Sequence, residues 1–488
     1  MTETFTTQSP SRVDEVLTVH AARWPNRAAL IDESGILTWS DLVTQIENLA
    51  AQLARAGVKS GQAVGLRLRS GRAFIMAAFA ALRCGGVMVP LSDRMPRAEI
   101  AEALREISVH AVIEDSASLI AGHAVHPLSL TGCDTLTLTQ IKPSPELSLG
   151  SLAPGAAYLR FTSGTTGRAK GVLLTHEDML ARTAAANRGL QITERDVVLC
   201  VLPMAFHFVV SILLYMRAGA TLVLMPDFLA DVTLQTANRH RATVLYATPL
   251  HIQLLAALAP PARFETMRRV ISTSSALAPD TARAFLERHG LAVEQAYGII
   301  EVGLPLMNCD RAHDRPEALG IPLPDFEVAI LDDARRQVPD GTLGELAMRG
   351  PGMFSAYVSP PRRRDEVLHD GWFLTGDLAR READGLIVLG GRAKSVINIA
   401  GNKVFPEEVE RVLCLHTQIA EARVWGRPHP RLGEAVIADV VQRDPKAALD
   451  VEALLRHCRA HLSPHKVPLL VNAVDAIDRT QSGKVCRS

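Results

Sequence analysis

Apolar residues in "DLVTQIENLAAQLARAG" recur at three- and four-residue intervals, which predicts an amphipathic helix closed by Gly57. "AVGLRL" follows as a strand, "RAFIMAAFAALRCGG" as a buried helix stopped by Gly85 and Gly86, and "HAVIED" as another strand. Strand and helix in alternation predict parallel α/β sheets. Residues 141–155, "IKPSPELSLGSLAPG", have the Pro, Ser and Gly of a connecting loop. Beyond it, "DVVLCVLP", "TLVLMP" and "TVLYATP" are short apolar runs, each stopped by proline, and read as buried strands. From about residue 326 the texture changes. "FEVAILDD", "GELAMRG" and "GLIVLG" predict strands separated by turns, as in a small barrel or meander. The last hundred residues mix strands and helices again, and "VFPEEVERVLCLH" reads as a helix with Pro406 near its start.

Composition narrows the functional classes. The chain has 488 residues, 48% hydrophobic and 21% charged, with 52 basic and 52 acidic side chains. This length predicts more than one domain, and the zero net charge gives no reason to expect nucleic acid or an anionic membrane as partner. Seven cysteines stand singly, without a CxxC pair, which suits a reducing, cytoplasmic setting. The polar start "MTETFTTQSPSRVDE" predicts no secretory leader, and the apolar stretches are broken too early for a transmembrane span.

The chemistry concentrates in "YLRFTSGTTGRAKGVLLTH", residues 158–176. Its middle is small, hydroxylated and glycine-rich, and ends in Lys170. A Walker loop would read GxxxxGK[ST] and lead into a helix, but here "GVLLTH" follows, which reads as a strand. The loop therefore joins two strands. Its phosphate contacts would come from backbone amides, hydroxyls and Lys170 without a helix dipole.

The loop "FTSGTTGRAKGV" closely resembles the signature of the adenylate-forming superfamily: acyl-CoA synthetases, aryl- and fatty-acid ligases, adenylation domains and firefly-type luciferases. The resemblance continues in order. "YGIIEVG" (297–303) resembles the Tyr-Gly-x-Thr-Glu motif, and "GWFLTGDLAR" (371–380) the Gly-Trp-x-x-Thr-Gly-Asp motif. "GRAKSVINIAGNKVFPEEVE" (391–410) resembles the hinge segment, and "DRTQSGKVCR" (478–487) the C-terminal lysine motif. This implies an N-terminal adenylation domain over 1–391, built of two parallel-rich α/β subdomains and a small β-barrel-like one. A small mobile α+β domain over 392–488 would follow. It also implies a two-step reaction: a carboxylate attacks the α-phosphate of ATP, and a thiol then displaces AMP.

Residue roles follow from the same resemblance. Thr162, Ser163, Gly164, Thr165, Thr166, Gly167 and Lys170 would hold the β- and γ-phosphates. Glu301, with Thr162, would bind Mg²⁺, a hard cation that takes oxygen ligands. Tyr297 would stack on adenine beside Gly298, Ser275 and Ala276. Asp377 would accept both ribose hydroxyls, with Arg392 as a second ribose contact. Lys484 would neutralise charge where carboxylate and α-phosphate meet, so Lys484, Lys170 and Glu301 are the catalytic candidates. Ser395 stands at the hinge position, and Gly401 at the glycine lining the pantetheine tunnel.

The departures are informative. Ile300 replaces the motif threonine and removes one hydroxyl from the phosphate site. Asn398 stands where many members have lysine. His207 occupies the place of the aspartate that pairs with an amino-acid substrate's ammonium, so the acid is predicted not to be an α-amino acid. Phe206, His207, Phe208, Val209, Tyr246, Ser274, Gly298, Ile299, Ile300 and Val302 are the pocket candidates, and their uncharged character predicts a hydrophobic acid, fatty or aromatic. The acceptor would be CoA or, alternatively, the phosphopantetheine of an acyl carrier protein. A luciferase-like oxidoreductase is a further alternative. A monomer or homodimer is expected.

Overall fold

The three proline-ended runs are buried strands, Val197–Cys200, Thr221–Leu224 and Val244–Ala247, all parallel to one another. Continuous apolar sequence suits this position, because a parallel sheet is covered on both faces. Arg269–Ser272 and Val293–Ile299 extend the sheet in the same sense, and Gly303–Asn308 turns back antiparallel. At its other side Ala28–Asp32 runs parallel to Thr221–Leu224 and pairs with its own hairpin strand Gly35–Thr38. With Ile321–Pro322 antiparallel to Gly303–Asn308 at the edge, this makes a nine-stranded mixed sheet. The computed structural model describes residues 10–95, 97–115, 124–143, 148–162, 170–260, 262–392, 395–399, 402–429, 433–479 and 485.

A second nine-stranded sheet has Ala63–Arg67 between Val87–Pro90 and Val109–Glu114, all parallel. Val87–Pro90 then pairs with Ala156–Thr162, which forms an antiparallel hairpin with Lys170–Thr175. The strand Ala356–Val358 adds to that hairpin from far along the chain. The helix Arg72–Arg83 is as buried as its sequence predicts, with Phe74 through Leu82 wholly enclosed. One hydrophobic core runs through both sheets, holding Leu66 and Met88 from one and Leu222 and Ile271 from the other.

The region after residue 326 is a four-stranded antiparallel meander: Glu327–Leu331, Gly344–Arg349, Phe373–Arg381 and Ile387–Arg392. The C-terminal residues have their own core, with Ile397, Val404, Val409, Val424, Val436 and Leu454 buried together. Pro406 opens the helix Pro406–Cys414, where its fixed φ and missing N–H cost nothing. Ser395 lies between the last meander strand and Ile397–Ile399, the first strand of the C-terminal sheet. Among the described residues no helix is long and apolar enough to cross a membrane.

The helix His176–Leu190, which follows the hairpin, starts with a reciprocal cap between Thr175 and Asp178. Its first residue is buried, and His176 Nδ1 accepts a hydrogen bond from the Val13 N–H at 3.3 Å. Burial, reinforced by Arg12, pushes the imidazole from its ordinary 6.5 down to about 4. The folded chain therefore refuses a proton that the unfolded chain takes up below pH 6.5. Stability from this group is complete above that value and falls between pH 6.5 and about 4, by up to about 1.4 kcal/mol per pH unit. His176→Asn keeps an acceptor but cannot titrate, so it should flatten this part of the profile. Urea unfolding at pH 7 and pH 5 checks this, and an unchanged slope would reject it.

Candidate active site

The signature loop closes a hairpin in which Thr162 is paired opposite Lys170. Ser163, Gly164, Thr165, Thr166 and Gly167 lie outside the described residues, as do Gly401, Lys484 and the side chains of Thr162 and Asn398. Lys170 is half-buried, and its Nζ stands 5.0 Å from the centroid of the Tyr357 ring. That ring comes from Ala356–Val358, whose register sets Tyr357 beside Val172. The Tyr357 hydroxyl donates to Glu301 Oε1 at 3.0 Å. Burial and the Glu301 charge push the phenol well above its ordinary value, so it remains a donor.

Glu301 sits in the tight turn between Val293–Ile299 and Gly303–Asn308, where Ile299 pairs with Gly303. Gly303 closes the turn at φ +110°, a conformation that favours glycine. Two bonds pin the backbone of this turn from outside, and a third ties Arg182 itself to a neighbouring segment. The Phe354 N–H donates to the Glu301 carbonyl at 2.7 Å. Arg182 Nη1 donates to the Ile300 carbonyl at 2.8 Å, and its Nε to the Gly352 carbonyl at 2.8 Å. Arg182 is only 1% exposed. Gly352 takes φ +66°, and a Cβ there would lie 2.2 Å from the Asp178 carbonyl oxygen, so only glycine lets the two segments approach this closely.

A second cluster joins the sheet end to the meander. Asp377 is buried, and Arg392 lies opposite it in register. Arg392 Nε stands 2.8 Å from Asp377 Oδ1. The Tyr297 hydroxyl donates to Asp377 Oδ2 at 2.5 Å. Burial and the Asp377 charge raise the Tyr297 phenol well above its ordinary value. Three residues predicted separately for adenine and ribose thus form one hydrogen-bonded unit, and both carboxylate oxygens of Asp377 already have partners.

The acid-pocket candidates separate into two groups. His207 ends the helix Met204–His207 and precedes a π-helix, Phe208–Leu213, a rare form found often at functional sites. Phe206 and His207 are half-buried. Arg160, on the strand leading into the signature loop, donates Nη1 to the Phe206 carbonyl at 2.6 Å. Ile299 and Ile300 are half-buried against the core, and Gly298 is exposed. Tyr246 is buried near the start of the turn carrying Ser274, which has φ +76°, and Ser275 and Ala276 are exposed on that turn. Phe208 and Val302 have 0% exposure and pack into the core. The rings of Phe74, Phe79 and Tyr158 enclose Phe208 at centroid distances of 5.8–6.3 Å. Val209, 4% exposed, is buried with it.

Arg182, Tyr357 and Arg160 were not found from the sequence. For Arg182 a signal existed: it shares a helical face with Met179, Ala186 and Leu190, all buried. A cation on an apolar face needs a partner elsewhere in the chain. Tyr357 and Arg160 have no comparable sequence signal.

A hairpin ending in lysine, a pinned carboxylate and a tyrosine–aspartate–arginine unit together make a site suited to a nucleotide. Residues 17–358 match the AMP-binding enzyme family model, and residues 408–484 match the AMP-binding enzyme C-terminal domain. The chain belongs to the AMP-binding enzyme family. It is 31% identical to a sulfoacetate–CoA ligase of Cupriavidus necator, over 97% of this chain and 96% of the relative. A feruloyl-CoA synthase of Amycolatopsis is 30% identical, over 96% of each. The solved structure of ATP-bound MatB from Rhodopseudomonas palustris superposes with a TM-score of 0.83 at 25% identity, covering 97% of both chains.

Proposed function

We propose that this enzyme activates an uncharged, hydrophobic carboxylic acid with ATP, forming acyl-AMP and pyrophosphate, and then passes the acyl group to the thiol of CoA with release of AMP. The observation that carries the reading is the link from Lys170 through Tyr357 to Glu301, which sets a cation and a carboxylate beside the signature hairpin. The named relatives, acid:CoA ligases over nearly their whole length, support the same chemistry.

The first step brings two anions together, so it needs positive charge at the meeting point. Lys170 supplies it toward the β- and γ-phosphates, and Lys484 supplies it where the carboxylate reaches phosphorus. Asp377 accepts from the ribose diol, held by Arg392 and Tyr297. Among the described residues, no group of three or more His, Cys, Asp or Glu is gathered as a metal cage. This suits Mg²⁺, which keeps waters and phosphate oxygens as ligands and needs only one or two carboxylates. Glu301, with Thr162, would hold it, and the bound ion neutralises phosphate charge. For the second step we propose that the residues from 392 onward turn about Ser395, withdraw Lys484 and open a pantetheine path past Gly401. A cytoplasmic location goes with this reading.

The test is pyrophosphate exchange over fatty, aryl, sulfonated and α-amino acids, followed by CoA or a phosphopantetheinyl carrier protein as acceptor. Hydrophobic acids and CoA should give the highest rates, and α-amino acids should give none. Efficient exchange with a free α-amino acid overturns the acid assignment, and transfer to the carrier protein alone overturns the acceptor.

A further inference from the structure

We propose that Tyr357 is a positioning residue for the adenylation step, presenting Glu301 and Lys170 to the nucleotide from one rigid ring. The inference rests on the reading that these two groups serve ATP and its Mg²⁺.

The geometry is specific. Tyr357 is 6% exposed, and a buried phenol needs a hydrogen-bond partner. Its partner is the carboxylate of Glu301, at 3.0 Å. The ring also packs against Phe354, with centroids 4.8 Å apart. Phe354 donates its own N–H to the Glu301 carbonyl at 2.7 Å. Two residues three apart thus hold both the backbone and the side chain of Glu301. The Lys170 ammonium lies 5.0 Å from the same ring, within cation–π reach. Because Ala356–Val358 pairs with the strand that begins at Lys170, all three groups are referenced to one piece of sheet. A ring that only filled core space would need neither the hydroxyl nor the lysine.

The hydroxyl and the ring face have separable roles. Tyr357→Phe keeps the ring and its packing but frees the Glu301 carboxylate. Tyr357→Leu also removes the face that Lys170 approaches. For Tyr357→Phe, loss of one hydrogen bond to a charged group predicts a rise of about tenfold in the Mn²⁺ concentration that half-saturates the enzyme–ATP complex. This is read by electron paramagnetic resonance of free Mn²⁺, without turnover. The adenylation kcat should fall by a similar factor while the KM for ATP stays near wild type. Tyr357→Leu should raise that KM as well. The unfolding midpoint of Tyr357→Phe should stay within about 2 °C of wild type, since no packing is lost.

Glu301→Gln is the reference variant. If it weakens Mn²⁺ binding and Tyr357→Phe does not, Tyr357 is packing alone and the proposal is overturned. If Glu301→Gln leaves Mn²⁺ binding unchanged, the reading of Glu301 fails, and the proposal fails with it. A uniform drop in kcat, KM and midpoint in both Tyr357 variants would also overturn it, since a general loss of structure gives no such separation.

Discussion

Lys484→Ala is expected to slow acyl-adenylate formation by about a hundredfold or more, the cost of removing a group proposed to stabilise charge only in the transition state. The carboxylate and the α-phosphate are both anionic, and their repulsion is greatest as the new bond forms. An ammonium placed there lowers the barrier without tightening the binding of ATP. The loss should therefore appear in turnover, with the KM for ATP nearly unchanged. The same variant, given pre-made acyl-adenylate and CoA, should make thioester at the wild-type rate, because the proposed rotation about Ser395 has by then withdrawn the lysine. Gly401→Leu should do the reverse, leaving pyrophosphate release intact and blocking the thiol. Single-turnover measurement of both half-reactions in both variants decides the matter. Equal damage to both halves in Lys484→Ala would mean that the C-terminal residues do not alternate between steps.

The parts of this enzyme that were legible in its sequence are those decided by neighbouring residues. Proline-ended apolar runs became buried parallel strands, as at Val244–Ala247, because such runs have no polar edge to expose. The hairpin reading of the signature loop followed from "GVLLT", which pairs back on "YLRFT". Asp377 and Arg392 were named separately for the ribose, and strand register now explains why they go together. What stayed hidden depends on distant contacts. The hairpin of Ala28–Asp32 and Gly35–Thr38 joins a sheet whose other members come much later in the chain. Phe208 stands among the pocket candidates, and its surroundings come from Phe74, Phe79 and Tyr158, which no local pattern ties to it. Tyr357 meets Glu301 across 56 residues, and Arg182 meets Ile300 across 118.

Arg182 carries the other large effect. Its guanidinium spans from the helix His176–Leu190 to two carbonyls on separate segments, Ile300 and Gly352, and the Nη2 bond to Gly352 is also present. Burial pulls its pKa down from 12.5 to about 10, opposed by Asp178 and Glu301, so it stays fully charged at neutral pH. Arg182→Ala removes these bonds and leaves both carbonyls without their donor. Since bonds to a charged group contribute about 1.5–3 kcal/mol each and are not additive, the loss of unfolding free energy should be on the order of 3 kcal/mol or more. Adenylation should fall as well, because the Glu301 turn loses one of its three ties. Arg182→Lys discriminates a positioned fork from a mere charge. An ammonium is a point donor and cannot serve two carbonyls as the planar guanidinium does. It should recover part of the stability and little of the adenylation rate. Urea unfolding and pyrophosphate release on the two variants provide the comparison. If Arg182→Ala unfolds within about 1 kcal/mol of wild type, the carbonyls have found water or other donors, and the turn is held by Phe354 and Tyr357 alone.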